Sequence, residues 1–115
     1  MDNLTNDAKY LISSMYKEYL SRRKNNISKK EAVFFDSVNE IHNNLMPEWT
    51  FEDTLFTCEE VKKHNLISGI GYGSEEILQI NLSTEAISLL EITFKDKTES
   101  VLEFMAKIKN AIPFV

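Results

Sequence analysis

The stretch TFEDTLFTCEEVKKHNLISGIGYGSEEILQINLSTEAISLLE, residues 50–91, decides the fold, because its hydrophobic period turns from helical to alternating and back to helical. Thr50 offers a hydroxyl cap, Glu52 and Asp53 put acids in the first turn, and Phe51, Leu55, Cys58 and Val61 recur at helical spacing. Asn65 closes this helix. Residues 66–70 and 77–82 then read as two strands around the turn-prone Gly71-Tyr72-Gly73-Ser74, and Ser83-Thr84-Glu85 restarts a helix carrying Ala86, Leu89 and Leu90.

Working outward from that segment, residues 1–7 are polar and expected to fray, after which Ala8, Leu11, Ile12, Met15, Tyr16, Tyr19 and Leu20 form a helical stripe. This first helix is predicted to end near Arg22-Arg23-Lys24, where cations suit a helix C-terminus and Asn25-Asn26 can turn the chain. Ser28-Lys29-Lys30-Glu31 has the form of a capping box opening a second helix. Phe34, Phe35, Val38, Ile41, His42 and Leu45 continue that helix at spacings of three and four until Met46-Pro47 stops it. On the C-terminal side, Ile92-Thr93-Phe94 leads through Lys95-Asp96-Lys97 to Thr98, read as a cap, and a last helix carries Val101, Leu102, Phe104, Met105, Ile108 and Ile112 up to Pro113. The whole reads as one domain over residues 8–112, of which 98–112 is an appended helix. Its wide apolar surface leaves two readings open, homodimerisation or packing on the first helix of the same chain.

A length of 115 residues with 43% hydrophobic side chains suits one domain able to bury a core without disulfides or metals. The lone cysteine, Cys58, excludes an internal disulfide framework and points to a reducing cytoplasm; on the apolar stripe it reads as a buried thiol. Apolar runs fall short of the roughly 18 to 20 residues of a membrane span, and Met1–Asp7 is acidic where a secretion signal would be basic. His42 reads as an edge-of-core residue and His64 as a partner of a helix C-terminus, and neither has a second ligand at metal spacing. Trp49 is expected to be buried beside Leu55 or to lie in an interface. With no cysteine–histidine or serine–histidine pair legible, the sequence reads as a non-enzyme without metal or cofactor.

The order helix, helix, helix, strand, strand, helix predicts an α+β, mostly α, winged helix-turn-helix: three helices, a β-hairpin wing and a fourth helix, with an additional C-terminal helix. Residues 66–70 with 80–90 resemble the wing and following helix of small bacterial and phage winged-helix proteins, with Asn65 and Ala86 standing where such families carry glycine. With its ending Lys107-Ile108-Lys109-Asn110-Ala111-Ile112-Pro113, the chain is similar to the small YjcQ-like proteins of Gram-positive bacteria and their phages. That resemblance implies a winged helix and little about activity.

Such scaffolds bind DNA or protein, and the charges decide between them. A DNA-reading winged helix places its third helix in the major groove and grips phosphates with lysine and arginine. Here the third helix carries Glu52, Asp53, Glu59 and Glu60 against Lys62 and Lys63, and the wing contributes Glu75 and Glu76. Positive charge concentrates instead in Arg22, Arg23, Lys24, Lys29 and Lys30, while the rest of the chain holds eight basic and eighteen acidic residues. Those five cations either grip a phosphate backbone or form a solvated turn that closes the helix dipole. Thr54 and Thr57 are candidate base-reading positions. Two functions follow as expectations: a cytoplasmic DNA-binding protein of transcription-regulator type, using the five cations with Thr54 and Thr57, or a protein-interaction winged helix docking a basic partner at Tyr72, Glu75 and Glu76.

Overall fold

The computed structural model describes residues 1–71, 75–95 and 97–112. Among these the chain runs α1 (Asn6–Lys24), α2 (Lys29–Ala32), β1 (Phe34–Asp36), α3 (Val38–Leu45), α4 (Phe51–Lys63), β2 (Ile67–Gly71), β3 (Ile77–Leu82), α5 (Thr84–Phe94) and α6 (Thr98–Lys109). The architecture is α+β and mostly helical, with an antiparallel sheet of order β1-β3-β2.

α1 is the centre of the packing. Its residues Leu11 to Tyr16 are buried without a break, Ser13 and Ser14 included, so the helix is enclosed on more than one face. α4, α5 and α6 all pack on it. α6 lies along α1 with Val101 and Ile108 buried, and Phe104 meets Phe94 edge-on at 5.4 Å between ring centroids. Its apolar set is therefore largely spent inside the chain, and Leu102 is the large apolar residue of α6 left exposed.

The helix caps form where hydroxyls stand before apolar runs. Thr50 Oγ1 accepts from the Asp53 N–H, Ser83 Oγ from the Ala86 N–H, and Ser28 Oγ from the Glu31 N–H. Asn26 and Asn65 adopt the left-handed conformation after α1 and α4, a region asparagine tolerates better than most residues. The Ser83 hydroxyl donates to the Asn65 carbonyl at 2.7 Å and the Ser83 N–H to the Leu66 carbonyl at 3.0 Å, which pins the two ends of the hairpin together.

Four expectations need correcting. The single second helix is two short helices separated by β1, because Phe34 and Phe35 alternate outward and inward in the sheet while also fitting helical spacing. Phe34 pairs with Asn81 on β3, Asp36 turns left-handed, and Ser37 caps α3 by accepting from the Glu40 N–H. Secondly, Thr98 does not cap α6. It is the first helical residue, and its hydroxyl accepts from Lys24 Nζ at 2.9 Å. Thirdly, the start of the chain is tied down rather than frayed: Leu4 is buried, and the Thr5 N–H and hydroxyl donate to the two carboxylate oxygens of Glu60 at 2.9 and 2.6 Å. Fourthly, Arg22, Thr54, Thr57 and Glu76 turn into the fold rather than toward a ligand.

The hairpin carries a bulge. Pairing shifts between Ser68 and Ile70, with Gln79 left-handed on the facing strand. A Cβ on Gly69 would stand 2.7 Å from Ile77 Cγ2 and 3.1 Å from the Leu78 carbonyl oxygen, so the close approach of the strands there requires glycine. Among the described residues no helix is long and apolar enough to cross a membrane.

Candidate interaction surface

The five cations do not form one open phosphate grip. Arg22 points back into the fold: it donates to the carbonyls of Ala32 at 3.1 Å and Phe34 at 2.7 Å, pairs with Glu18 at 3.2 Å, and stacks over the Phe35 ring at 4.4 Å. It ties α1 to the irregular passage into β1, where the backbone carbonyls have left helical pairing. Arg23 donates to the Ile27 carbonyl at 3.1 Å, and Lys24 holds Thr98 at the start of α6. Lys29 and Lys30 are exposed. Arg22 is thus corrected from ligand gripper to internal tie, because unpaired carbonyls near the protein surface find in a guanidinium the donor that fits them.

The base-reading threonines are also corrected. Thr54 and Thr57 are both buried, and their hydroxyls donate one turn back to the carbonyls of Thr50 at 2.9 Å and Asp53 at 2.8 Å. They lie on the packed face of α4 with Leu55, Cys58 and Val61. Burial pushes the Cys58 thiol up to about 12, with Glu76 and Glu59 adding to the shift, so it stays neutral.

At the hairpin, Tyr72 lies outside the described residues, and Glu75 is exposed. Glu76 is half-buried and already occupied: one carboxylate oxygen accepts from the Val38 N–H at 2.9 Å and the Ile77 N–H at 3.1 Å. It serves an amide of the first turn of α3, where a negative charge is favoured, and that removes it from the residues free to steer a partner.

What α4 turns outward is a stripe the sequence reading missed. Glu52, Phe56, Glu59 and Lys63 follow one another at i, i+4, i+7 and i+11, which places them within about 60° of arc along roughly 16 Å of helix. Phe56 is 76% exposed and, with Ile92 of α5 at 75%, stands out among the large apolar side chains of the described residues. The signal was in the sequence: Phe56 falls one residue out of phase with the buried run of Leu55, Cys58 and Val61. Two shallow depressions adjoin the stripe. One of about 360 Å³ is lined by Glu52, Leu55, Phe56 and Glu59; the other, of about 450 Å³, lies between α4 and the hairpin, among Glu59, Lys62, Lys63, Asn65, Gly71 and Ile77.

Acidity extends beyond the stripe. Burial, with Asp53 and then Glu60 adding to it, raises the Asp7 carboxyl above its ordinary value. Glu60 bonds Thr5 at the start of α1, and Trp49, just before α4, lies 6.2 Å from Tyr10 between ring centroids. α4 therefore flanks the first part of α1. Arg23 is about 20 Å further along that helix from Tyr10.

The histidines sit apart from any ligand chemistry. His42 Nε2 bonds the Trp49 carbonyl at 2.7 Å with its ring edge-on to Phe51, and His64 is the residue after α4. Among the described residues no group of three histidine, cysteine or acidic side chains is placed to hold a metal ion. No family model, curated protein or solved structure matches the chain.

Proposed function

We propose that this chain is a winged-helix interaction module that binds a cationic protein partner through the outward face of α4, with Phe56 as the anchor. The winged-helix part of the reading is supported by the order of elements, in which a hairpin follows α4 and β1 joins its second strand. The choice of protein over DNA is carried by one observation: a phenylalanine 76% exposed at the middle of a helix face whose flanking side chains, one turn either side, are Glu52 and Glu59.

An exposed phenyl ring gains most when a partner removes it from water, and large aromatic side chains at the centre of a contact are the usual anchors of protein interfaces. The carboxylates around it attract lysine and arginine on a partner and repel phosphate. Lys62 and Lys63, at the C-terminal end of α4, stand beyond Glu59 and away from Phe56, the remaining basic cluster lies at the far end of α1, and Arg22 is spent on carbonyls.

Capture from a lysate of the producing cells, with wild-type protein and Phe56→Ala compared side by side, tests the reading. A partner retained by the wild type and weakened at least about tenfold by Phe56→Ala is the expected result. Fluorescence anisotropy with generic duplex at low salt supplies the opposite outcome. Salt-sensitive binding lost on reversing Lys29 and Lys30, and indifferent to Phe56, would overturn the proposal in favour of a DNA-binding protein.

A further inference from the structure

The stripe on α4 is not uniformly acidic, and its order of charges carries information about what it binds. From N- to C-terminus it reads acid, aromatic, acid, cation: Glu52, Phe56, Glu59, Lys63. Lys62 stands beside Lys63 on the wall of the depression facing the hairpin, so the positive end is a pair of side chains rather than one. Glu59 borders both depressions and marks the boundary between the two charge zones.

Resting on the function proposed above, we infer that the occupant of this face is a bipolar amphipathic helix of a partner protein: an apolar residue over Phe56, cations on both sides of it, and a carboxylate at the end that meets Lys62 and Lys63. The stripe is about 16 Å long, which an accompanying helix covers in about 11 residues. Apolar contact at Phe56 supplies the anchor, while the charges fix register and direction, since a cation at the Lys63 end or a carboxylate beside Glu52 meets its like. A uniformly cationic segment satisfies only the first three positions. A second copy of the chain fits less well: the same stripe laid against itself antiparallel pairs Glu52 with Lys63 at both ends but sets each Phe56, the anchor, against a Glu59 carboxylate, and laid parallel it opposes like charges at every charged position.

Three synthetic helical peptides in an alanine and glutamine background test this, each with leucine at the anchor position and charges at the spacing of the stripe. The first carries lysine, leucine, lysine, glutamate; the second replaces the glutamate with lysine; the third exchanges every charge of the first for its opposite. Binding is followed by chemical-shift changes of the α4 amides in the intact protein. The expected order of affinity is first, second, third, with the first about three- to fivefold tighter than the second, the size of effect exposed charge pairs give. Lys63→Glu should invert the preference between the first two peptides, and Phe56→Ala should weaken both.

Phe56-dependent binding in which the first two peptides tie and Lys63→Glu changes nothing would overturn the bipolar inference while leaving Phe56 as an anchor. Binding indifferent to Phe56, or none by any peptide up to about 1 mM, would overturn both the inference and the function on which it rests. Concentration-dependent self-association in sedimentation, abolished by Phe56→Ala, would assign the face to a second copy and overturn the inference.

Discussion

The turn between α1 and β1 and the outward face of α4 are both rich in charge, and they use it in opposite ways. In the turn, a cation stands among carbonyls that secondary structure has abandoned. Arg22 therefore bonds inward, and the residues with the strongest phosphate-binding chemistry become part of the scaffold. On α4 the backbone is satisfied within the helix, so its outward side chains are free and a phenylalanine stays in water. The lesson is that a charge cluster gains meaning from the backbone beneath it. Unpaired backbone groups consume the charge that reaches them, as at Arg22 and Glu60; charge that meets no such group, as at Lys30 or Glu52, stays available.

The largest effect is expected at Arg22. Arg22→Ala leaves two carbonyls without their donor and removes the cation from the Phe35 ring, and the expected loss of stability is about 2–3 kcal/mol in urea denaturation. Lys30→Ala, in the same basic run but exposed, should stay within about 0.5 kcal/mol of wild type. Equal small effects at the two positions would show that Arg22 is as free as its neighbours and would reopen the turn as a ligand site.

A subtler difference appears with pH at the acidic side of α1. The folded protein holds the Asp7 proton more tightly than the unfolded chain does, because burial, Asp53 and Glu60 all disfavour the carboxylate. The stability this proton confers is complete below the ordinary carboxylate value near 3.8 and is lost as pH rises through the raised folded value. Asp7→Asn, uncharged at every pH, should thus raise the urea midpoint at neutral pH and lose its advantage in acid. An advantage that persists unchanged below pH 4 would mean that charge is not its source.

The smallest effect is expected on the outward face of α4. Phe56→Ser should leave stability within about 0.5 kcal/mol, since the ring it removes is already in water. A loss of several kcal/mol would place the ring in the core and end its use as an anchor.

Much of the fold was legible from local signals. The cap hydroxyls of Thr50 and Ser83, the left-handed Asn26 and Asn65, and the change of period at the hairpin are all local to a few residues, and each element they announce forms where expected. β1 was not legible in the same way, because Phe34 and Phe35 fit both a strand and a helix, and only pairing with Asn81 on β3 separates the two. Ser37 and Glu40, three residues apart, were the local hint of a fresh helix start after it. The candidate surface was half legible. Phe56 is out of phase with the buried stripe in the sequence itself, whereas the inward turn of Thr54 and Thr57 depends on which faces α1 and α3 cover.

Local chemistry is enough for the ends of α1 and α4, the start of α5, the hairpin and the acidity of α4, because hydroxyl caps, left-handed asparagines and apolar period act over a few neighbouring residues. Only long-range packing settles that Arg22 serves the backbone, that Glu60 bonds Thr5, the cap of α1, that Glu76 bonds the first turn of α3, and that α6 covers α1. The bonds of Arg22, Glu60 and Glu76 depend on which unsatisfied amides and carbonyls the folded chain brings beside a charged side chain, across ten to fifty-five residues of sequence, and the packing of α6 on α1 joins the two ends of the chain.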